Sequence, residues 1–337
     1  MGFKEYDHPF QNQTTHTGIL LTSLGTPNTP TPSGVRQFLR EFLSDPKVIE
    51  MPRLLWLPIL YGFILPIRPY SVARLYQSIW LEEGSPLRSF ASKVGNNLQK
   101  ELNHRGQSVK VVLGMRYGFP SIEQALEELH QLHIKRLIIL PLYPQYSGST
   151  TGSTFDAVAK TISKWRWLPE LHMIMHYHNN HGYLDALAEN IKATWEKKGR
   201  GERLLISFHG LPNRYFLAGD PYYHQCCETA QLLADRLQLK QEDWQIAFQS
   251  RFGREEWLKP YADHLLVEWA KAGVKYIDVV CPGFVIDCLE TLEEMADRNK
   301  KLFLQAGGEG YHYIPALNDK KSHISSLADL IGQHIIR

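Results

Sequence analysis

Two groups of side chains in this sequence have the types and spacing to handle protons or a metal ion. The first is His209, which ends the apolar run Leu204-Leu205-Ile206-Ser207-Phe208 and precedes Gly210-Leu211-Pro212. Histidine is the side chain whose charge changes near neutral pH, and the commonest metal ligand. The second is the series Asp287, Glu290, Glu294 and Asp297. At the α-helical period of about 100° per residue these four fall on one stripe. Neighbouring carboxylates repel, so such a stripe needs water, a cation or shared protons. Each group also has a structural reading: His209 as a hydrogen-bonded strand end, and Asp287 as a helix cap with Glu290 completing a capping-box-like pair. An imidazole facing a row of carboxylates would hold a divalent cation transiently, or take protons from a neutral N–H ligand. A closed structural zinc site does not follow, because no second histidine or cysteine has suitable spacing.

The surrounding pattern says which elements must carry these groups. Short β-rich runs at Ile19–Leu24, Val109–Met115, Arg136–Leu140 and Leu171–Met175 recur in the second half at Arg203–Phe208, Trp244–Gln249, Tyr276–Val280 and Tyr311–Ile314. Amphipathic helical stretches lie between them, such as Ser121–Leu132, Gly182–Lys197 and Leu258–Ala272. This alternation predicts a parallel α/β architecture. The halves resemble each other: Gly-Thr-Pro after the first strand is matched by Gly-Leu-Pro, and Arg116-Tyr117-Gly118 by Arg251-Phe252-Gly253. The expectation is a duplicated α/β domain, 1–178 and 179–337, with a cleft lined by strand ends and the last helix free to pack back on the first domain.

With 43% hydrophobic and 21% charged residues in 337, the composition is that of a soluble globular chain. A net charge of +2 argues against a nucleic-acid scaffold. Cys226, Cys227, Cys281 and Cys288 form no C-x-x-C pair, as suits a reducing cytoplasm. Met1 to Thr17 is polar and carries no secretory signal pattern. No dinucleotide or P-loop glycine pattern occurs, and the loop Gly148–Thr154 reads as an anion cradle or as a helix-capping turn. The strand ends are instead rich in aromatic residues, which suits a flat aromatic ligand. Leu54–Ile67 is almost wholly apolar and bracketed by Arg53 and Arg68. It is shorter than the roughly 20 residues of a membrane span, and Pro58 and Pro66 are expected to break it. It reads as a buried segment, a lip over an apolar ligand, or a membrane-surface patch.

At the level of motifs the chain resembles the ferrochelatases. Ser207-Phe208-His209-Gly210-Leu211-Pro212 is similar to their S-x-H-x-L-P motif, and Pro282 to Leu292 to their P-x-x-F-x-x-D-x-x-E-T-L. Tyr143–Ser147 with Ser149–Ser153, Gly114–Tyr117, Gly84–Pro86 and Gln249–Arg251 add further agreement along nearly the whole chain. The resemblance implies two Rossmann-like domains with four-stranded parallel sheets, and insertion of ferrous iron into protoporphyrin IX to give protoheme. It makes His209 and Glu290 the catalytic and metal-handling pair. Asp287 would orient the site and Glu294 would continue a carboxylate path for metal or protons. Leu24, Arg116, Tyr117, Tyr143 and Phe284 match macrocycle-lining positions, and the segment at about 53–70 matches the lip. Iron is then substrate, with no permanently bound cofactor. Gly148 stands where some animal members carry a cluster cysteine, so no iron–sulfur cluster is expected. Cys288 replaces a common histidine, Arg298 interrupts the acidic path, and Gln77-Ser78 replace an arginine pair. The implied partners are protoporphyrin IX, ferrous iron and, through the lip, the cytoplasmic face of the inner membrane, with no nucleic acid. The competing readings are a chelatase for another tetrapyrrole and a non-catalytic heme or porphyrin carrier.

Overall fold

In the computed structural model the described residues are 17–253 and 255–335. The polar amino terminus read above as lacking a signal lies outside them, except for Thr17. All eight expected strands are present: β1 (Thr17–Gly25), β2 (Val109–Tyr117), β3 (Arg136–Pro141), β4 (Glu170–Met173), β5 (Arg203–His209), β6 (Trp244–Gln249), β7 (Tyr276–Val280) and β8 (Gly310–Tyr313). They form two wholly parallel sheets, ordered β2-β1-β3-β4 and β6-β5-β7-β8. The two orders are the same pattern shifted by four strands, as a duplicated unit requires. In each sheet the first strand in sequence is central, and Leu20, Leu21, Leu205 and Ile206 on these strands are fully buried. Strands covered on both faces read as continuous apolar runs, which is why they are visible in the sequence.

The chain divides into two compact units. One comprises Met1–Leu142, Gly148–Met175 and Ile324–Arg337; the other comprises Tyr143–Ser147 and His176–His323. The boundary is therefore crossed more than once. The short segment Tyr143–Ser147 is bound into the second unit by Gln145 Nε2 donating to Thr229 Oγ1 (2.9 Å) and Tyr146 N–H to Gln225 Oε1 (2.7 Å). In the first unit, Arg105 fixes the end of the chain by donating to Asp329 (2.5 Å) and to Ser325 Oγ (3.0 Å).

Helix boundaries follow local chemistry. Ser85 caps Pro86–His104 with Pro86 in its first turn, and Ser121 with Gln124 makes a reciprocal capping box for Ile122–Gln131. The third expected helix starts later, at Ala262 rather than Leu258, because Pro260 disfavours helical backbone at Lys259.

The apolar segment departs from expectation. Its prolines do not break it: Arg53–Ile79 is one continuous run of 27 helical residues. A π turn at Leu60–Ile64, in which Leu65 N–H reaches the Leu60 carbonyl, widens the helix just before Pro66, which then falls in the first turn of Leu65–Ile79. Pro69 cannot donate to the Leu65 carbonyl four residues back, and Arg36 Nε supplies that bond instead (3.0 Å). The run is therefore long and apolar enough to span a bilayer by length and composition. One side, Trp56, Leu60 and Leu65, packs with Leu39, Leu43 and Ile49 of the same unit. The other side leaves Leu54, Leu55, Phe63 and Ile67 exposed.

His323 is completely buried, with Nδ1 2.6 Å from the Asn318 carbonyl and Nε2 enclosed without a partner. Burial pushes its pKa down to about 4 from 6.5, since a second ring proton would have no acceptor. The unfolded chain thus binds a proton here that the native state refuses, so stability falls as pH drops from 6.5 towards 4. The difference amounts to about 3 kcal/mol. Urea denaturation of the native protein and of His323→Gln across this interval should show the slope flattened in the variant.

Candidate active site

The site is built on the carboxyl end of β5. On one side β5 stays paired with β6 as far as His209↔Gln249, and Gly210 N–H extends the ladder by donating to the Gln249 carbonyl (2.7 Å). On the other side pairing with β7 stops at Ile206↔Val280. The last residues of β5 are thus unpaired towards β7. Gly210 must be glycine, because a Cβ there would lie 2.8 Å from the Gln249 carbonyl oxygen and 3.1 Å from the Trp257 ring. Ser207 and His209 alternate to one face and Phe208 to the other, where it is buried near Phe248.

His209 Nδ1 lies 2.6 Å from the Gly210 carbonyl oxygen. A carbonyl can only accept, so Nδ1 carries a proton, and in the neutral ring the lone pair is on Nε2. The ring lies 6.3 Å, centroid to centroid, from that of Phe284, which follows β7. Tyr143 is half-buried on the same unit.

The carboxylate series is carried by a π-helix, Glu290–Asn299, rather than by an α-helix. The wider turn takes more residues per revolution, so the expected row of Asp287, Glu290, Glu294 and Asp297 does not form. Arg298 instead stands beside the carboxylates: its guanidinium lies 3.9 Å from Glu294 and 3.2 Å from Glu293. Asp297 has rotated out to solvent and pairs with Lys301 (2.7 Å). Glu294 is gripped by Ser250, whose N–H donates to Oε1 (2.9 Å) and whose hydroxyl donates to Oε2. Ser250 adopts the left-handed region (φ +67°), a cost of about 1–3 kcal/mol that this double contact offsets. Burial raises the pKa of Glu294, while Ser250, Arg298 and His209 pull it back.

Asp287 lies outside the helix and is buried. Its carboxylate accepts from Thr291 Oγ1 (2.9 Å), Tyr313 hydroxyl (2.6 Å) and Asn318 Nδ2 (2.7 Å). It makes no capping box with Glu290; Thr291 occupies that position, accepting from Cys288 N–H (2.9 Å). Asp287 is a structural clasp that fixes where the acidic helix starts, with its oxygens committed to protein donors. Burial, followed by the nearby Glu290 carboxylate, pushes the Cys288 thiol well up. The sulfur is therefore protonated, a poor metal ligand. Among the described residues, no group of three or more His, Cys, Asp and Glu side chains forms a preassembled metal centre.

In the first unit Leu24 and Arg116 stand half-buried at the ends of β1 and β2. Arg116 is held by Asp45 (2.5 Å) and Ser153 Oγ (2.7 Å), with its guanidinium over the Tyr117 ring. Tyr117 is only 2% exposed and donates its hydroxyl to Asp45 (2.8 Å). It therefore supports Arg116 and offers almost no ring face of its own. Hydrogen bonds from Ser153, Lys47 N–H and Tyr117 hold the Asp45 carboxyl below its ordinary value despite burial. Sequence reasoning does not find Asp45, Tyr313 or Asn318, since isolated polar residues carry no periodicity. Gln249 and Ser250 belong to a recognisable motif, but that both reach the acidic helix follows only from the folded chain.

Comparison with known proteins places these features in context. The family model described as Ferrochelatase matches residues 16–335. A protein named Ferrochelatase from Nitrosococcus oceani is 66% identical over 335 residues, covering 99% of this chain and 91% of that one. Another of the same name, from Thioalkalivibrio sulfidiphilus, is 51% identical over 319 residues, 94% of this chain and 86% of that one. Among solved structures, SirB from Bacillus subtilis with Fe3+ superposes with a TM-score of 0.58 at 9% identity, covering 95% of both chains. A cobalt complex of the sirohydrochlorin chelatase SirB gives 0.56 at 8%, with the same coverage. At such identity these two establish a shared fold.

Asp287→Ala should strand three donors in the buried clasp and destabilise the protein by about 3 kcal/mol or more. Denaturant titration of the native and substituted proteins measures the loss.

Proposed function

The chain belongs to the ferrochelatase family, and from that premise we propose that His209 and Glu290 are the two groups at which pyrrole protons are exchanged for iron. The reaction is insertion of Fe2+ into protoporphyrin IX, giving protoheme and releasing two protons. The observation that carries the residue assignment is the His209 Nδ1 contact with the Gly210 carbonyl at 2.6 Å. It assigns Nε2 as the acceptor of the neutral ring, the tautomer a proton-abstracting or iron-ligating imidazole must have.

A planar porphyrin cannot admit a metal until the ring bends and its N–H protons leave. His209 Nε2 takes a pyrrole proton on one face, and the Glu290 carboxylate meets the metal or the second proton on the other. Glu294 continues from Glu290 along the helix, and its raised pKa suits a group that accepts and passes on protons. The path stops at Arg298, whose positive charge beside Glu294 disfavours a cation there. Tyr143 and Phe284 are the proposed aromatic contacts of the ring on this unit. Rigid walls of this kind convert peripheral binding energy into ring distortion.

The lip is proposed as a peripheral membrane contact. Support comes from the exposed row Leu54, Leu55, Phe63 and Ile67, flanked by exposed Arg53, Arg68 and Arg74.

Anaerobic incubation with ferrous iron and protoporphyrin IX, followed by the absorption change to heme, tests the assignment. His209→Ala should lower kcat by about 10²-fold or more. Glu290→Gln should reduce turnover more than porphyrin affinity; equal loss of both would instead mark Glu290 as structural. Replacing Leu54 and Phe63 together by serine should weaken sedimentation with anionic vesicles while leaving iron insertion into detergent-dispersed porphyrin unchanged.

A further inference from the structure

We infer that Gln249 is the positioning residue that sets the separation between His209 and Glu290, an inference that rests on the roles proposed for that pair. Gln249 is 3% exposed, in register with His209 at the end of β6. Each end of its amide makes a different tie. Oε1 accepts from Ser207 Oγ (2.8 Å), two residues before His209 on the same face of β5. Nε2 donates to the backbone carbonyl of Glu290 (2.8 Å). Its own carbonyl accepts from Gly210 N–H (2.7 Å), the residue whose carbonyl orients the His209 ring. One residue thus connects the strand that carries the imidazole, the turn that fixes its tautomer, and the backbone of the residue that carries the carboxylate.

Other anchors of the acidic helix act elsewhere. Asp287 fixes the approach to the helix and Ser250 grips Glu294 one turn later. Gln249 alone among the described hydrogen bonds takes hold of Glu290 itself from the strand paired with that of His209. A glutamine suits the task because its amide offers an acceptor and a donor on one rigid plane. Glutamate keeps the acceptor for Ser207 but would set a carboxylate oxygen against the Glu290 carbonyl. Methionine fills the space with neither group.

The consequence is kinetic. If the two groups act on opposite faces of one bent ring, their separation determines how far the ring bends and how well each group meets its proton or metal. A displacement of about 1 Å can cost on the order of a hundredfold in rate while leaving binding at the periphery intact. A residue that only stabilised the sheet would lower thermal stability without separating kcat from porphyrin affinity.

The test compares wild type, Gln249→Met, Gln249→Glu and Ser207→Ala in anaerobic iron insertion. Porphyrin affinity is measured by tryptophan quenching, and distortion of bound protoporphyrin by its out-of-plane resonance Raman lines. Gln249→Met and Gln249→Glu should each lose about tenfold or more in kcat, keep porphyrin affinity within about twofold, and weaken the out-of-plane lines. Ser207→Ala, which removes the tie to β5 and leaves that to Glu290 intact, should lose kcat in the same direction by a smaller factor. The double variant Ser207→Ala/Gln249→Met should be no slower than Gln249→Met alone. Should Gln249→Met fail to fold, Gln249→Glu carries the same comparison. Wild-type kcat in a folded Gln249 variant, or a loss shared equally by kcat and porphyrin affinity with unchanged Raman lines, overturns the inference. Absence of iron insertion by the wild-type protein would instead overturn the reading on which it rests.

Discussion

The parallel pairing of β5 between β6 and β7 is the constraint on which the site depends. Because β6 follows β5 through His209 while β7 leaves it at Ile206, the end of β5 is held on one side and open on the other. The held side supplies Gln249 and Ser250. The open side receives the chain from Cys281 into the acidic helix. A parallel sheet places all strand carboxyl ends together, so residues distant in sequence converge at one rim. His209 and the start of the acidic helix come to the same rim because of strand order, and no local interaction between their segments is needed.

Polar groups then do what apolar packing cannot. The core beneath the rim is non-directional: Leu205, Ala247, Ile277 and Val279 hold the sheet against its helices without fixing any side-chain angle. Angles are fixed by buried hydrogen bonds, each costly to leave unmade. Gly210 orients His209, Gln249 ties β5 to Glu290, Ser250 grips Glu294 and Asp287 anchors the approach. Within the π-helical turn Arg298 lies beside Glu293 and Glu294, while Asp297 pairs with Lys301 in solvent. The first unit repeats the device with other residues, where Asp45, Ser153 and Tyr117 fix Arg116 at the end of β2.

The apolar segment shows the same contest between local and tertiary forces. Three prolines within Arg53–Ile79 argue locally for interruption, yet the helix continues. A π turn accommodates one ring and a neighbouring arginine replaces the hydrogen bond lost to another. A reading that takes a proline as a stop therefore fails here, because a π turn within the helix admits Pro66 and Arg36, elsewhere in the chain, supplies the donor that Pro69 lacks.

Most of the fold was legible in the sequence. Buried parallel strands must be apolar along their length, and their order repeats in the two halves, so Ile19–Leu24 and Leu204–Phe208 announced themselves. His209 and Glu290 stand out in the sequence as candidates because few other positions combine a strand end or helix start with a titratable side chain in a matching motif. The helical period of the acidic segment was not legible, since glutamates suit an α or a π turn alike and tertiary contacts decide between them. Nor was the commitment of Asp287 to Tyr313 and Asn318, or of Gln249 to Ser207 and Glu290. A sequence records which polar groups exist; only the folded chain determines which of them are close enough, and dry enough, to be partners.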